Sequence, residues 1–189
     1  MKNKFKITFN APVVLIFAGI CLLATILNYV TLGKSNLVLF MTYHSSPANP
    51  MTYVRFLTHV FGHVNWQHFM NNIAYILLLG PLLEEKYGKG EIIEMIAFTA
   101  VVTGILNYVL FPNIALCGAS GVVFAFILLS SFTGFKEGEI PLTFILIAVI
   151  YIGQEIYRGI AIEDNISNLS HILGGVVGSL VGYATNRKK

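Results

Sequence analysis

The sequence predicts an all-α fold: a polytopic membrane protein with six transmembrane helices in one domain, residues 1–189, and no separate soluble domain. Hydrophobic residues make up 56% of the chain and charged residues 11%, which is too apolar for an ordinary water-soluble domain. The apolar residues also gather in long stretches without charge, and about 20 residues of helix cross a bilayer core of roughly 30 Å. Helices are the expected form, because backbone groups in lipid must be paired within their own segment.

The positions of the spans follow from these charge-free stretches. The stretch 95–135 is twice the length that one span needs, and Phe111-Pro112-Asn113 breaks it near the middle. The other stretches, 7–33, 56–83, 140–154 and 165–186, provide one span each. The predicted spans are 12–32, 67–83, 92–110, 116–133, 140–157 and 169–185.

The distribution of cations predicts the orientation in the membrane. With six spans, both termini share one side, and the other side keeps only Lys34, Arg55 and Arg158 of the 12 lysines and arginines. The positive-inside rule therefore makes both termini cytoplasmic and the 33–66 loop external, as expected for a multi-pass protein of the cell membrane. Because the cations flank spans, the formal charge of +3 does not indicate a nucleic-acid partner.

Polar side chains stand near the start of three spans. His68, Ser120 and His171 open the second, fourth and sixth spans, which all run from outside to inside, so they are expected at similar depth in the outer half of the membrane. Asn72 follows His68 by four residues and shares its helix face. Ionisable side chains in such segments indicate function, and a serine with a histidine forms the minimum nucleophile and general base.

Small residues indicate how the fourth and sixth spans meet. Gly174 and Gly178 form a small-xxx-small stripe after His171, and Ser120 lies within Gly118-Ala119-Ser120-Gly121. Small residues let helices in membranes approach closely, so packing of these faces brings the serine hydroxyl within reach of the imidazole. Alternatively, the glycines are only a packing seam, and the Ser120 hydroxyl bonds the backbone of its own helix.

Three motifs, each on its own span, resemble those of the rhomboid intramembrane serine proteases. They are the segment 63–72 (HVNWQHFMNN), the segment 118–121 (GASG) and the segment 171–174 (HILG), and the resemblance extends over about residues 50–185. It implies a rhomboid-like six-helix bundle that hydrolyses peptide bonds in or near the transmembrane segments of single-span membrane proteins. No cofactor is implied; the expected partners are those substrates and the lipid bilayer.

The resemblance also implies roles for individual residues. Ser120 matches the nucleophile and His171 the general base, while His68, Asn72 and the Ser120 backbone N–H match the groups that stabilise the oxyanion. Phe124 stands where the family often has a tyrosine that packs on the histidine; the ring is kept, so activity is expected to survive. Further matches are Gly118, which we group with the oxyanion set, Gly121 beside the serine, Glu84 as a structural acid, and the gate residues Phe69, Met70, Tyr151 and Ile152.

Other classes of function explain the sequence less well. His44, His59, His63 and His68 cluster around the second span, but no Cys, Asp or Glu stands among them to complete a metal site, so no metal is expected. We expect His59 and His63 to hold the external loop through hydrogen bonds. A transporter would show internal repeats, which are not evident. A catalytically silent rhomboid-like protein that binds membrane segments remains the alternative, although this chain retains both the serine and the histidine.

Overall fold

The computed structural model describes residues 8–132 and, beyond them, residues 142, 143, 145–147, 149, 150, 153, 172, 174–178, 180 and 184. All the described residues beyond 132 are helical. His171, the gate residues Tyr151 and Ile152, and most of the fifth and sixth predicted spans lie outside the described residues.

The described chain is helical, which confirms the all-α prediction for this part. Its α-helices are α1 (Pro12–Val30), α2 (Pro50–Thr58), α3 (Trp66–Tyr87), α4 (Lys89–Leu110) and α5 (Ser120–Phe132). A π-helical turn, Asn36–Phe40, and a 3₁₀ turn, His59–Phe61, flank α2. Extended pairing in the described residues is limited to one antiparallel bridge between Thr42 and Leu116.

Four of these helices correspond to the first four predicted spans. Within the described residues, α1 and α4 are apolar and long enough to cross a membrane. Helix α5 begins at Ser120, four residues later than predicted, because Gly118 has φ of +128° and Leu116 pairs with Thr42 instead of joining a helix. The apolar pattern continues through 116–119, so hydropathy alone did not reveal this break.

Helix α2 was not predicted, although its start is marked in the sequence. Asn49 caps it, with its side-chain oxygen accepting a hydrogen bond from Met51 N at 3.0 Å, and Pro50 occupies the first helical position. Both features are typical of helix starts. Helix α2 packs closely on α4, since a methyl group built at Gly104 would lie 2.8 Å from the Phe56 α carbon.

Helices α1 and α3 run antiparallel, held at both ends by polar contacts. At one end, the Glu84 carboxylate accepts hydrogen bonds from Val13 N at 3.1 Å and Val14 N at 3.0 Å. At the other end, Trp66 N donates to the Tyr29 hydroxyl at 2.9 Å. The carboxylate satisfies amides in the first turn of α1 that have no partner within their own helix. Glu84 therefore joins the end of α3 to the start of α1.

Helix α5 lies at the centre of the described bundle. All residues from 121 to 129 are buried, which is typical of a helix that is apolar on every side and surrounded by others. Gly80 of α3 allows close approach here: a methyl group built on it would lie 2.7 Å from Val14 and 3.1 Å from Phe126. The first residue of this central helix is Ser120.

Candidate active site

Ser120 lies where the buried central helix meets the loop before it. Its side chain is partly exposed, whereas Ala119 before it and Gly121 after it are buried. The first N–H groups of a helix have no carbonyl partner within that helix. The Ser120 hydroxyl therefore lies at the N-terminus of a helix, where the partial positive charge of the backbone favours negative charge.

Three separate parts of the chain hold the loop before Ser120. The Asn107 side-chain amide of α4 donates to Ile114 O at 3.0 Å. Thr42 and Leu116 exchange two backbone hydrogen bonds, at 2.9 and 2.8 Å, and Gly118 N donates to His59 O at 2.9 Å. The loop that presents the serine is thus fixed every second residue from 114 to 118.

His68 and Asn72 converge on this loop from one face of α3. A methyl group built at Gly118 would lie 2.6 Å from His68 Cε1, 2.8 Å from His68 Nε2 and 3.6 Å from Asn72 Nδ2. Both side chains therefore lie over the Gly118 α carbon, two residues before Ser120. The close approach needs glycine there, and so does the backbone φ of +128°.

Asn72 holds an unused donor at this place. The residue is 6% exposed, and its Nδ2 has no hydrogen-bond partner among the described residues. An unsatisfied buried donor typically costs about 1–3 kcal/mol. Such a group is expected where a negative charge forms during a reaction and accepts the hydrogen bond.

The predicted glycine stripe packs against α5. Methyl groups built at Gly174 and Gly178 would lie 3.4 Å from the Gly121 α carbon and 2.8 Å from the Ala125 α carbon, respectively. One built at Gly175 would lie 3.1 Å from a ring carbon of the buried Phe124. The segment 174–178 therefore runs along α5 from the residue after Ser120. His171, three residues before Gly174, lies outside the described residues, and its role stays a prediction.

His59 and His63, which lie between α2 and α3, are buried and bonded to neighbouring groups. His59 Nδ1 lies 3.2 Å from Arg55 O and its Nε2 lies 3.2 Å from Thr103 Oγ1 of α4. His63 Nδ1 lies 3.2 Å from Phe61 O. Within the described part of the chain, potential metal ligands do not gather in groups of three.

His63 resists protonation. It is 0% exposed, and the pKa of its imidazole is lowered from near 6.5 to about 3. Burial is the main cause, nearby His68 acts in the same direction, and the hydrogen bond to the Phe61 carbonyl opposes the shift. His63 is therefore neutral in the fold.

Sequence reasoning missed several residues that shape this site. Thr99, Thr103 and Asn107 lie four residues apart and are all buried along one face of α4. Their spacing was the available signal, because polar residues recurring on one face of an apolar span indicate an internal contact. The partners Thr42, Asn28 and Asn36 carry no such local pattern.

Comparison with known proteins identifies the class. The rhomboid domain model matches residues 50–188, which is most of the chain. The apolar helices and this match together indicate a helical membrane protein. The chain belongs to the rhomboid family, which confirms the resemblance seen in its three motifs.

The sequence identity to individual relatives is low, between 23% and 33%. The chain is 28% identical over 160 residues to rhomboid-like protein 11, chloroplastic, of Arabidopsis thaliana, covering 77% of this chain and 55% of that protein. It is 33% identical over 139 residues to rhomboid-related protein 1 of Caenorhabditis elegans, covering 68% and 39%. It is 23% identical over 182 residues to rhomboid protease GlpG of Serratia proteamaculans (strain 568), covering 94% and 64%. The chain thus spans between 39% and 64% of the length of these relatives.

Proposed function

We propose that this protein is an intramembrane serine endopeptidase that cleaves single-span membrane proteins in or near their transmembrane segments. The observation that supports the proposal best is the convergence of His68 and Asn72 on Gly118, two residues before Ser120. The buried Asn72 Nδ2 has no partner within the part of the chain that the structure describes. Membership of the rhomboid family, and the name of the relative rhomboid protease GlpG, point the same way.

In the proposed reaction, Ser120 Oγ attacks the carbonyl carbon of the scissile peptide. His171 accepts the hydroxyl proton and gives it to the leaving amine as the C–N bond breaks, which leaves an ester on Ser120. A water molecule, deprotonated by His171, then attacks this ester, and the proton returns to Ser120 Oγ as the carboxylic product leaves. The carbonyl oxygen becomes negative in the tetrahedral intermediate and accepts hydrogen bonds from Asn72 Nδ2, the His68 ring and the Ser120 backbone N–H. Gly118 contributes by leaving space for these donors.

A labelling experiment separates the enzyme from a silent binding protein. The purified protein is treated with a fluorophosphonate probe and incubated with a single-span reporter in liposomes. We expect Ser120→Ala to abolish labelling and cleavage and His171→Ala to weaken both. Ser130→Ala is the matched control, since that hydroxyl on the same helix donates to Ile127 O and should not react. If the wild type neither labels nor cleaves any single-span reporter, that result favours the binding-protein alternative.

We further propose six spans, cytoplasmic termini and a site that opens toward the external side of the cell membrane. The support is the distribution of lysines and arginines along the chain. Lys34 and Lys89 fall on opposite predicted sides, and both are exposed, so cysteines at these positions can be labelled. In intact cells, a membrane-impermeant maleimide should label Lys34→Cys and not Lys89→Cys, and the native Cys21 and Cys117 are buried. Labelling of Lys89→Cys alone would show that the orientation is opposite to the one proposed.

A further inference from the structure

We propose that His63 is a positioning residue that fixes the ring of His68, and that Asn28 and Asn36 in turn hold His63. The inference rests on the proposed function, because it concerns how one oxyanion donor of that site is kept in place.

The backbone of His63 is held by two buried amides. Its carbonyl accepts a hydrogen bond from Asn28 Nδ2 at 3.3 Å and another from Asn36 Nδ2 at 3.0 Å. Asn28 belongs to α1 and Asn36 to the π-helical turn, so two elements distant from the site in sequence fix the same peptide group. Both side chains are less than 10% exposed, at 8% and 3%.

The ring of His63 has one allowed orientation. Phe61 O can only accept, so His63 Nδ1, at 3.2 Å, must carry the hydrogen and donate it. In the neutral ring Nε2 is then unprotonated, and it has no hydrogen-bond partner among the described residues. A ring flip would break the bond to Phe61, so the edge of this imidazole stays in a fixed direction.

That ring meets His68 edge to face. The centroids of the two rings lie 5.1 Å apart with an interplanar angle of 72°, and His63 packs against Phe69 in the same manner at 5.5 Å and 90°. His68 therefore has the His63 ring on one side and the Gly118 backbone on another. Donors that are oriented before the reaction need no reordering in the transition state, which is why this contact is expected to affect turnover.

A matched pair of variants isolates the ring. His63→Phe keeps an aromatic edge at this position, and His63→Leu removes it. The phenylalanine and leucine side chains are both apolar, and neither of them titrates. With the reporter in liposomes, we expect His63→Leu to lower kcat roughly tenfold or more with KM unchanged within about twofold, and His63→Phe to stay close to the wild type. The double variant Asn28→Ala and Asn36→Ala should resemble His63→Leu. His44→Leu, at an exposed loop histidine, should have no effect.

A second readout does not require catalysis. Protein with 15N-labelled histidine rings in micelles should show one ordered His68 tautomer in the wild type and in His63→Phe, and an averaged signal in His63→Leu; His68→Gln assigns the resonance. Equal His68 signals and equal kcat in the Leu and Phe variants would overturn the inference while leaving the protease intact. Should the wild type prove inactive, a changed His68 signal in His63→Leu alone would support the coupling and an unchanged one would refute it.

Discussion

At the scale of single residues, Gly118 is the position where backbone and site constrain each other most directly. Its φ of +128° lies in a backbone region that residues other than glycine rarely adopt, and its α carbon lies against the His68 ring. Gly33 has a similarly positive φ of +89°, but a methyl group there would meet nothing within 4 Å. A side chain at Gly33 would therefore strain the backbone only, whereas one at Gly118 would strain the backbone and also displace the His68 ring.

Substitution by alanine at both positions uses this difference. Either change should lower the midpoint of thermal unfolding in detergent, because backbone strain costs on the order of 1–3 kcal/mol. Only Gly118→Ala should also lower kcat, by roughly a hundredfold, since it pushes His68 away from the oxyanion. Reporter cleavage measures this effect. Comparable kcat losses in both variants would show that His68 is not displaced.

Asn72 should show opposite effects on activity and stability. Asn72→Leu removes the proposed oxyanion donor, so we expect kcat to fall roughly a hundredfold. The same change removes a buried donor that lacks a partner in the described chain, so unfolding should become harder by about 1 kcal/mol. Kinetics and thermal unfolding measure the two effects. Asn71→Leu, at the exposed neighbour, is the control; a loss of stability in Asn72→Leu would mean that its amide is satisfied in the fold.

At the scale of elements, the carboxylate of Glu84 fastens the start of α1 to the end of α3. Glu84→Ala leaves two backbone N–H groups without their acceptor. Hydrogen bonds to charged groups contribute about 1.5–3 kcal/mol each, so the unfolding free energy should fall by about 3 kcal/mol. Glu85→Ala is the matched control, because that neighbour is exposed. An equal drop in both variants, measured by thermal unfolding in detergent, would contradict a specific cap.

The packing of segment 174–178 on α5 is a second test at this scale. A methyl group at Gly178 would contact the side chain of Ala125 and lie 2.8 Å from its α carbon, whereas one at Gly19 of α1 would meet nothing within 4 Å. Gly178→Ala should therefore destabilise the protein by about 1–3 kcal/mol through overpacking, and Gly19→Ala should not. Activity should fall in Gly178→Ala alone, because the segment 174–178, which follows His171 in the sequence, is pushed away from α5. If Gly178→Ala kept its activity, the packing of segment 174–178 on α5 would not affect the proposed Ser120–His171 dyad.

At the scale of the whole molecule, buried His63 predicts sensitivity to acid. Its pKa is about 3 in the fold and near 6.5 when unfolded, so between these values the unfolded chain binds the extra proton. Stability should therefore fall as pH decreases from about 6.5 toward 3, with a slope approaching about 1.4 kcal/mol per pH unit from this group. Thermal unfolding across this range should show a flatter profile for His63→Phe than for the wild type.

The sequence predicted the features that repeat along the chain and missed those that join distant residues. Runs without charge located α1, α3 and α4 to within a few residues, because the bilayer imposes their length. Helix α2 is only nine residues long and amphipathic, so a search for spans passed over it. The His63 carbonyl accepts hydrogen bonds from Asn28, which is 35 residues away in the sequence, and from Asn36, which is 27 residues away. No local periodicity in the sequence encodes such contacts.

The contact made by Glu84 has a consequence for how such chains diverge. The carboxylate binds the main-chain N–H groups of residues 13 and 14 and not their side chains. The hydrogen bond at position 13 is thus independent of the side chain there, and only proline, which lacks the N–H, would remove it. Among relatives, we therefore expect an acidic residue to be retained at the position of Glu84 while the residues whose N–H groups it binds vary. Sequence identity at the start of the first helix then underestimates how firmly that helix is attached.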